Sequence, residues 1–362
     1  MITLNGLLVL LLLSTAVFAL RKSYMAYIHS IEIYTPQFCL DNEMLARDFP
    51  EWSVDKIFEK TGIESRYIAH SNESTLDMAV SACKKLFSKN EISPEDIDYI
   101  LLCTQSPDYF LPTTACLLQD KLGLKKNIGA LDYNLGCSGY VYGLSLAQAL
   151  ISSKQVNNVL LVTTEQYSKY INDNDKSVRT LFGDAATATI ISSEDQDYIG
   201  PFVFGTDGSG GDSLIVPHGA NKHPISSESY IEAEDSSKNI RSPKDLYMNG
   251  SAVFTFTLQT VPKTVREILE KSGLEKSDID FAIFHQANKF MLDILQKKCG
   301  FSDQQFLRSY QKYGNTVSNT LPIGLYEAAS TGKLKDGDKI LLVGFGVGLS
   351  WGATILTWKG GK

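Results

Sequence analysis

The second half of this 362-residue chain repeats the first, and that repeat limits the possible folds more than any single motif does. Glu91-Ile-Ser-Pro-Glu-Asp-Ile-Asp-Tyr-Ile-Leu-Leu-Cys-Thr-Gln105 resembles Leu274-Glu-Lys-Ser-Asp-Ile-Asp-Phe-Ala-Ile-Phe-His-Gln286, and Asn158-Val-Leu-Leu-Val162 resembles Lys339-Ile-Leu-Leu-Val343. Ile97 and Ile279 lie 182 positions apart, and Val159 and Ile340 lie 181 apart, so two separate matches share nearly one offset. In each half a helical stretch (75–88; 264–272) precedes an Asp-rich turn and a continuous apolar run. Each run is too short to span a membrane and reads as a strand buried on both faces, the mark of a parallel sheet. Strands alternating with helices predict an α/β fold. Two copies, at 25–196 and 197–362, predict about ten strands in two stacked halves with a site between them.

A chain that is 43% apolar and 21% charged can bury so large a core. The net charge of −7 and the lack of a basic stripe argue against nucleic acid. Six cysteines without metal-ligand spacing suit a reducing compartment, so a cytoplasmic location is expected.

The N-terminus has a different character. Residues 7–20 are nearly all apolar, yet the run is short for a transmembrane helix, and the basic pair Arg21-Lys22 follows it. A cleaved export signal is disfavoured because residues 1–6 carry no basic side chain. Two readings stay open for 1–24: a weak membrane anchor, with the following domain cytosolic, or an upstream extension of a protein that begins at Met25. The polar, Ser-rich stretch 221–244 reads as a surface excursion.

Three short peptides carry the chemistry: Gly136-Cys137-Ser138-Gly139, His285-Gln-Ala-Asn288 and Gly314-Asn315-Thr316. Cys137 lies between a strand-like stretch and an Ala/Leu-rich helix, where free N–H groups and the helix dipole favour a thiolate. His285 follows the apolar run at a strand's C-terminal end, where open α/β sheets place ligands. Asn315 sits in a turn before a helix that contains Pro322. Thiol, imidazole and carboxamide together can form an acyl thioester and then stabilise an enolate. Gly344-Phe-Gly-Val-Gly-Leu-Ser-Trp351-Gly lacks the spacing of a dinucleotide loop, and a backbone amide donor beside the thiol is its better use.

These peptides, with Lys60-Thr-Gly-Ile63 and Phe182-Gly-Asp184, make residues 25–358 resemble β-ketoacyl-acyl carrier protein synthase III of the thiolase-like superfamily. The resemblance implies a duplicated, five-layered α-β-α-β-α fold, a homodimer, acyl carrier protein as partner, and no permanently bound cofactor. Acyl-CoA or acyl-carrier-protein thioesters would be substrates. It implies Cys137 as nucleophile, His285 and Asn315 as enolate donors, and the amides of Cys137 and Val347 as oxyanion donors. Leu111, Phe182 and Phe345 would line the acyl pocket, with Leu111 reaching it from a partner subunit. Lys289, Lys297 and Lys298 would dock the acidic carrier. Two positions depart from the family pattern: Lys56 stands where an adenine-stacking Trp is usual, and Phe290 where an Arg often follows. Three rival functions share the residues: acyl transfer to an alcohol or amine, a cysteine protease, and a non-catalytic carrier-binding protein. The repeat and the buried strands argue against the protease, and the intact Cys137, His285 and Asn315 against the non-catalytic protein.

Overall fold

A computed structural model describes residues 25–89, 92–196 and 198–360, so both readings of 1–24 lie outside the described residues. The first half forms a five-stranded sheet from β1 (Met25–Tyr34), β2 (Tyr99–Cys103), β3 (Gly129–Tyr133), β4 (Asn158–Glu165) and β5 (Ala185–Glu194), in the order β1-β5-β4-β2-β3. The second half forms a four-stranded sheet from β6 (Ile199–Thr206), β7 (Phe281–Phe284), β8 (Lys339–Gly346) and β9 (Ser350–Thr357), in the order β6-β9-β8-β7. The two orders superimpose strand for strand, as the repeat requires. Of the expected ten strands the last is reduced to one parallel bridge between Ala282 and Phe306, at the place β3 holds in the first half. β2 runs parallel to β3 and β4, and β7 runs parallel to β8.

The strands are apolar on both faces because both faces are covered. In β2, Leu101 packs into the core between the two sheets, while Ile100 and Leu102 face the outer core beside helix α1 (Thr75–Lys89). The middle layer is a pair of helices, α2 (Gly139–Ser152) and, in the second half, α5 (Thr320–Ser330). Val141, Leu144, Leu321 and Leu325 from these helices meet Leu161 of the first sheet and Ile283 and Leu342 of the second. On the far side, α3 (Gly250–Ser272) and α4 (Lys289–Cys299) cover the second sheet. The layers are therefore helix, sheet, helix, sheet, helix. β1, at the edge of the sheet, begins at Met25 with alternating buried side chains, Ala26 and Ile28 facing the core between the two sheets.

The excursion at 221–244 is largely exposed. It is tied back by Arg241, which donates to Asp175 at 2.7 Å, and by Lys176, which donates to the Lys238 carbonyl at 3.1 Å. Among the described residues no helix is long and apolar enough to cross a membrane.

Candidate active site

Cys137 sits in the loop between β3 and α2, one residue before the Ser138 cap, and is buried. The Gly-rich segment packs against it from the other half. It is a β-hairpin: β8 continues through Gly346 and pairs antiparallel with β9. A Cβ on Gly346 would lie 2.7 Å from the Cys137 Sγ, and one on Gly344 would lie 2.7 Å from the Cys137 carbonyl oxygen. Side chains at both positions are crowded by Cys137 itself. Ser138 and Ser350 hydroxyls, 2.8 Å apart, close the same contact.

The thiol differs from the sequence expectation. Burial pushes Cys137 up to about 12, with the backbone N–H groups of Val347 and Cys137 pulling the other way. Desolvation outweighs the amides and the helix end, so the resting group is a thiol and not a thiolate. The two amides that touch the sulfur are nonetheless the pair a developing oxyanion would need.

His285 follows β7 directly and is buried. Its Nδ1 stands 2.8 Å from the Thr320 hydroxyl, and its ring meets Phe345 edge-on at 5.5 Å. Burial holds the imidazole down at about 3, so it is neutral. The Thr320 hydroxyl also donates to the Val317 carbonyl at 3.0 Å, so its one proton has two acceptors in reach. When the hydroxyl donates to Nδ1, Nε2 carries the ring proton and becomes a donor.

Asn315 is pinned by its backbone. Its N–H donates to Leu181 O at 2.8 Å, and its carbonyl accepts from Gly183 N at 3.0 Å. Gly314 before it has φ +67°, and a Cβ there would lie 2.6 Å from Leu181 O. The side-chain Oδ1 accepts from Val317 N at 2.9 Å, which leaves Nδ2 as a two-proton donor. Val317 holds φ 56°, a costly conformation for a β-branched residue, and packs in one apolar cluster with Cys137. The Phe345-Gly346-Val347 strand end thus touches Cys137 and His285, and Val317 joins Asn315 to them.

The expected acyl-pocket residues separate. Phe182 belongs to the Cys137 cluster with Tyr167, Leu214 and Leu246. Phe345, on the opposite face of β8 from Gly346, is buried in the outer core of the second half and meets the site through the His285 ring. Leu111 is 82% exposed on a loop with Tyr109 and Phe110. That loop edges a cavity of about 1010 Å³ whose walls include Tyr167, Leu214, Leu246 and Val347. Tyr167, whose hydroxyl donates to Gln105 and whose ring lies 5.4 Å from Phe182, gave no sequence signal, and neither did Thr320.

The expected docking lysines do not share one face. Lys289 and Lys298 are nine residues apart on α4, about 180° around a helix, and Lys289 pairs with Asp293 at 2.7 Å. Lys297 and Lys298 are exposed. Lys56 does not leave its region without an aromatic: Lys56 and Lys60 hold their ammonium groups 5.5 and 5.3 Å from the ring of Trp52. Phe290 is exposed and stacks on Phe254 at 5.3 Å. Among the described residues no group of His, Cys, Asp and Glu could hold a metal ion.

Comparison with known proteins gives a consistent answer. Residues 131–208 match the family described as 3-oxoacyl-[acyl-carrier-protein (ACP)] synthase III, and residues 269–358 match the C-terminal domain of the same family. A β-ketoacyl-[acyl-carrier-protein] synthase III from Clostridium perfringens is 41% identical over 325 residues, covering 90% of this chain and 96% of that protein. A crystal structure of a 3-oxoacyl-(acyl-carrier-protein) synthase III superimposes with a TM-score of 0.91 at 46% identity, covering 92% of this chain and all of the other. The β-ketoacyl-[acyl carrier protein] synthase III of Thermus thermophilus does so with a TM-score of 0.81 at 32% identity, covering 92% of this chain and 99% of that one.

Proposed function

This chain belongs to the β-ketoacyl-[acyl-carrier-protein] synthase III family, and from that premise we propose that Cys137, His285 and Asn315 carry out its decarboxylating condensation of an acyl thioester with malonyl-acyl carrier protein. The protein is an acyltransferase of the thiolase-like fold. The observation that carries the residue assignment is the contact of Gly346 and Val347 with the Cys137 sulfur, which sets two backbone amides on the nucleophile.

In the first half-reaction the Cys137 sulfur attacks the acyl carbonyl, and the amides of Cys137 and Val347 bind the tetrahedral oxyanion. The oxyanion collapses, the carrier thiolate leaves, and the proton lost from Cys137 ends on it. Malonyl-acyl carrier protein then enters. Its carboxylate departs as carbon dioxide, and the electron pair moves to the thioester as an enolate. His285 Nε2–H and Asn315 Nδ2–H donate to that oxygen. The carbanion attacks the acyl-Cys137 carbonyl, the same two amides hold the new oxyanion, and the Cys137 thiolate leaves and takes a proton from solvent. Neutral donors serve this chemistry because the enolate supplies the charge.

Acyl-CoA or acyl-carrier-protein thioesters serve as donors, and no bound cofactor enters the steps. The exposed Tyr109, Phe110 and Leu111 at the cavity mouth support action as a homodimer in which a second copy covers that loop. The test is intact mass after incubation with acyl thioesters, with and without malonyl carrier protein. Acylation is expected on wild type and absent from Cys137→Ala. His285→Ala and Asn315→Ala should load but release no labelled carbon dioxide. Loading followed by transfer to an alcohol or amine, with malonyl carrier protein untouched, would replace the condensation reading with simple acyl transfer.

A further inference from the structure

Behind the nucleophile lies a buried acid that the condensation steps above do not use. Glu165, at the C-terminal end of β4, is fully buried. Its carboxyl accepts from the backbone N–H of Gln105 at 3.0 Å and from the Ser318 hydroxyl at 2.7 Å, and the Ser106 side chain also bonds it. Gln105 belongs to the nucleophile's half: its side-chain oxygen is 2.5 Å from where a Cβ on Gly136 would stand. Ser318 belongs to the other half, on the segment that carries Asn315 and Thr320. One carboxyl therefore ties the loop beside Cys137 to the segment that carries Asn315 and that contacts His285 through Thr320.

We propose that Glu165 is a positioning residue, held as a neutral acid, that locks the segment 315–320 against the nucleophile's loop and disables the site when it ionises. The inference rests on the condensation reading above. The groups that face Glu165 are Asp184 at the start of β5, Cys103 at the end of β2, Cys137, Tyr133 of β3, and Tyr167 and Tyr170 after β4. None of these is a cation. Burial pushes Glu165 up to about 8, against the pull of the Gln105 N–H and the Ser318 hydroxyl, with Asp184 adding to the rise. Asp184 itself is raised to about 6, mainly by burial. The hydroxyls of Ser318 and Ser106 can turn to accept from the protonated carboxyl. Loss of that proton places a charge in a dry chamber where an oxyanion and an enolate must form, and the same charge raises the Cys137 thiol.

The experiment follows turnover against pH in wild type, Glu165→Ala and Glu165→Gln. Glutamine keeps an acceptor for the Gln105 N–H and offers an N–H to Ser318. Wild-type kcat should fall above pH 8 by about tenfold per unit, the slope of one ionisation, with KM for malonyl carrier protein unchanged. Glu165→Ala should lose kcat at neutral pH, and Glu165→Gln should restore it without the alkaline fall. At pH 9 the Gln variant, scaled to its own neutral rate, should then exceed wild type by about tenfold. A Gln variant with the wild-type alkaline fall, or one no better than Ala, overturns the proposal. Should Glu165→Gln fail to fold, Ser318→Ala decides: it removes a donor to the carboxylate, so the fall should move to higher pH, and an unmoved fall overturns the proposal. Iodoacetamide alkylation of Cys137 above pH 8 needs no turnover and should be faster in Glu165→Gln. Equal rates refute the inference, whereas a wild type that never releases carbon dioxide fails the condensation reading alone.

Discussion

Gly346→Ala is the sharpest test of the site, because the substitution adds one methyl group and changes no donor. The added Cβ would lie 2.7 Å from the Cys137 Sγ and 2.9 Å from its Cβ. Ordinary non-bonded contact is about 3.5–4.0 Å, so the sulfur or the end of β8 must retreat by roughly 1 Å. Gly346 is not among the glycines with positive φ, so alanine brings no backbone strain and the effect is steric alone. A retreat of either partner separates the thiol from the Val347 amide. A misplacement of about 1 Å costs about 10²-fold in rate, or about 2.7 kcal/mol of barrier. The assay is single-turnover acyl loading by intact mass, with thermal unfolding to show that the fold persists. Loading should slow by about two orders of magnitude while malonyl carrier protein still binds. Wild-type loading in a folded Gly346→Ala enzyme would refute the argument that this strand end sets the nucleophile's geometry.

Two further outcomes follow from the same geometry. Thr320→Val removes the hydroxyl 2.8 Å from His285 Nδ1 and leaves a buried ring nitrogen unpartnered; carbon dioxide release should fall by about 10²-fold, the usual cost of one lost donor. Acyl loading should be spared, Thr320→Ser should recover release, and equal losses in both steps would refute the role. Lys297→Glu with Lys298→Glu should raise KM for malonyl carrier protein and weaken its salt dependence while leaving a small thioester unaffected; equal effects on both substrates would show that the lysines support the fold.

The sequence made the duplication visible because equivalent strands in a doubled α/β fold are apolar on both faces and recur at one offset. Cys137, His285 and Asn315 stand out as candidates because each sits at a strand end or glycine-flanked turn. The ionisation state of Cys137 was not visible, since a local reading sees the helix N-terminus but not the burial that outweighs it. Nor was the hairpin at Gly346: its need for glycine comes from a sulfur 209 positions earlier in the chain. Thr320, Tyr167 and Glu165 carry no signal at all, because a hydroxyl or carboxyl becomes informative only when its distant partner is known. The tenth strand was overcounted because the chain at Phe306 keeps the position of β3 but only one bridge of its pairing.

The groups so assembled share one electrostatic property. Burial lifts the Cys137 thiol to about 12 and the Glu165 acid to about 8, and holds the His285 imidazole at about 3. Near neutral pH all three are uncharged, and Asn315 carries no charge at any pH. A resting charge on groups so buried would cost desolvation, and among the described residues no cation faces Cys137, Glu165 or His285 to offset it. The chamber instead holds oriented dipoles: two backbone amides at the sulfur, an imidazole N–H and a carboxamide N–H. In the proposed mechanism these interact weakly with a neutral thioester and strongly with the oxyanion and enolate that form from it, which is the condition for accelerating a reaction as opposed to merely binding its substrate. The duplication makes this possible, because corresponding strand ends of the two halves bring Cys137 of the first half against Gly346 and Val347 of the second, with all three of Cys137, His285 and Asn315 buried.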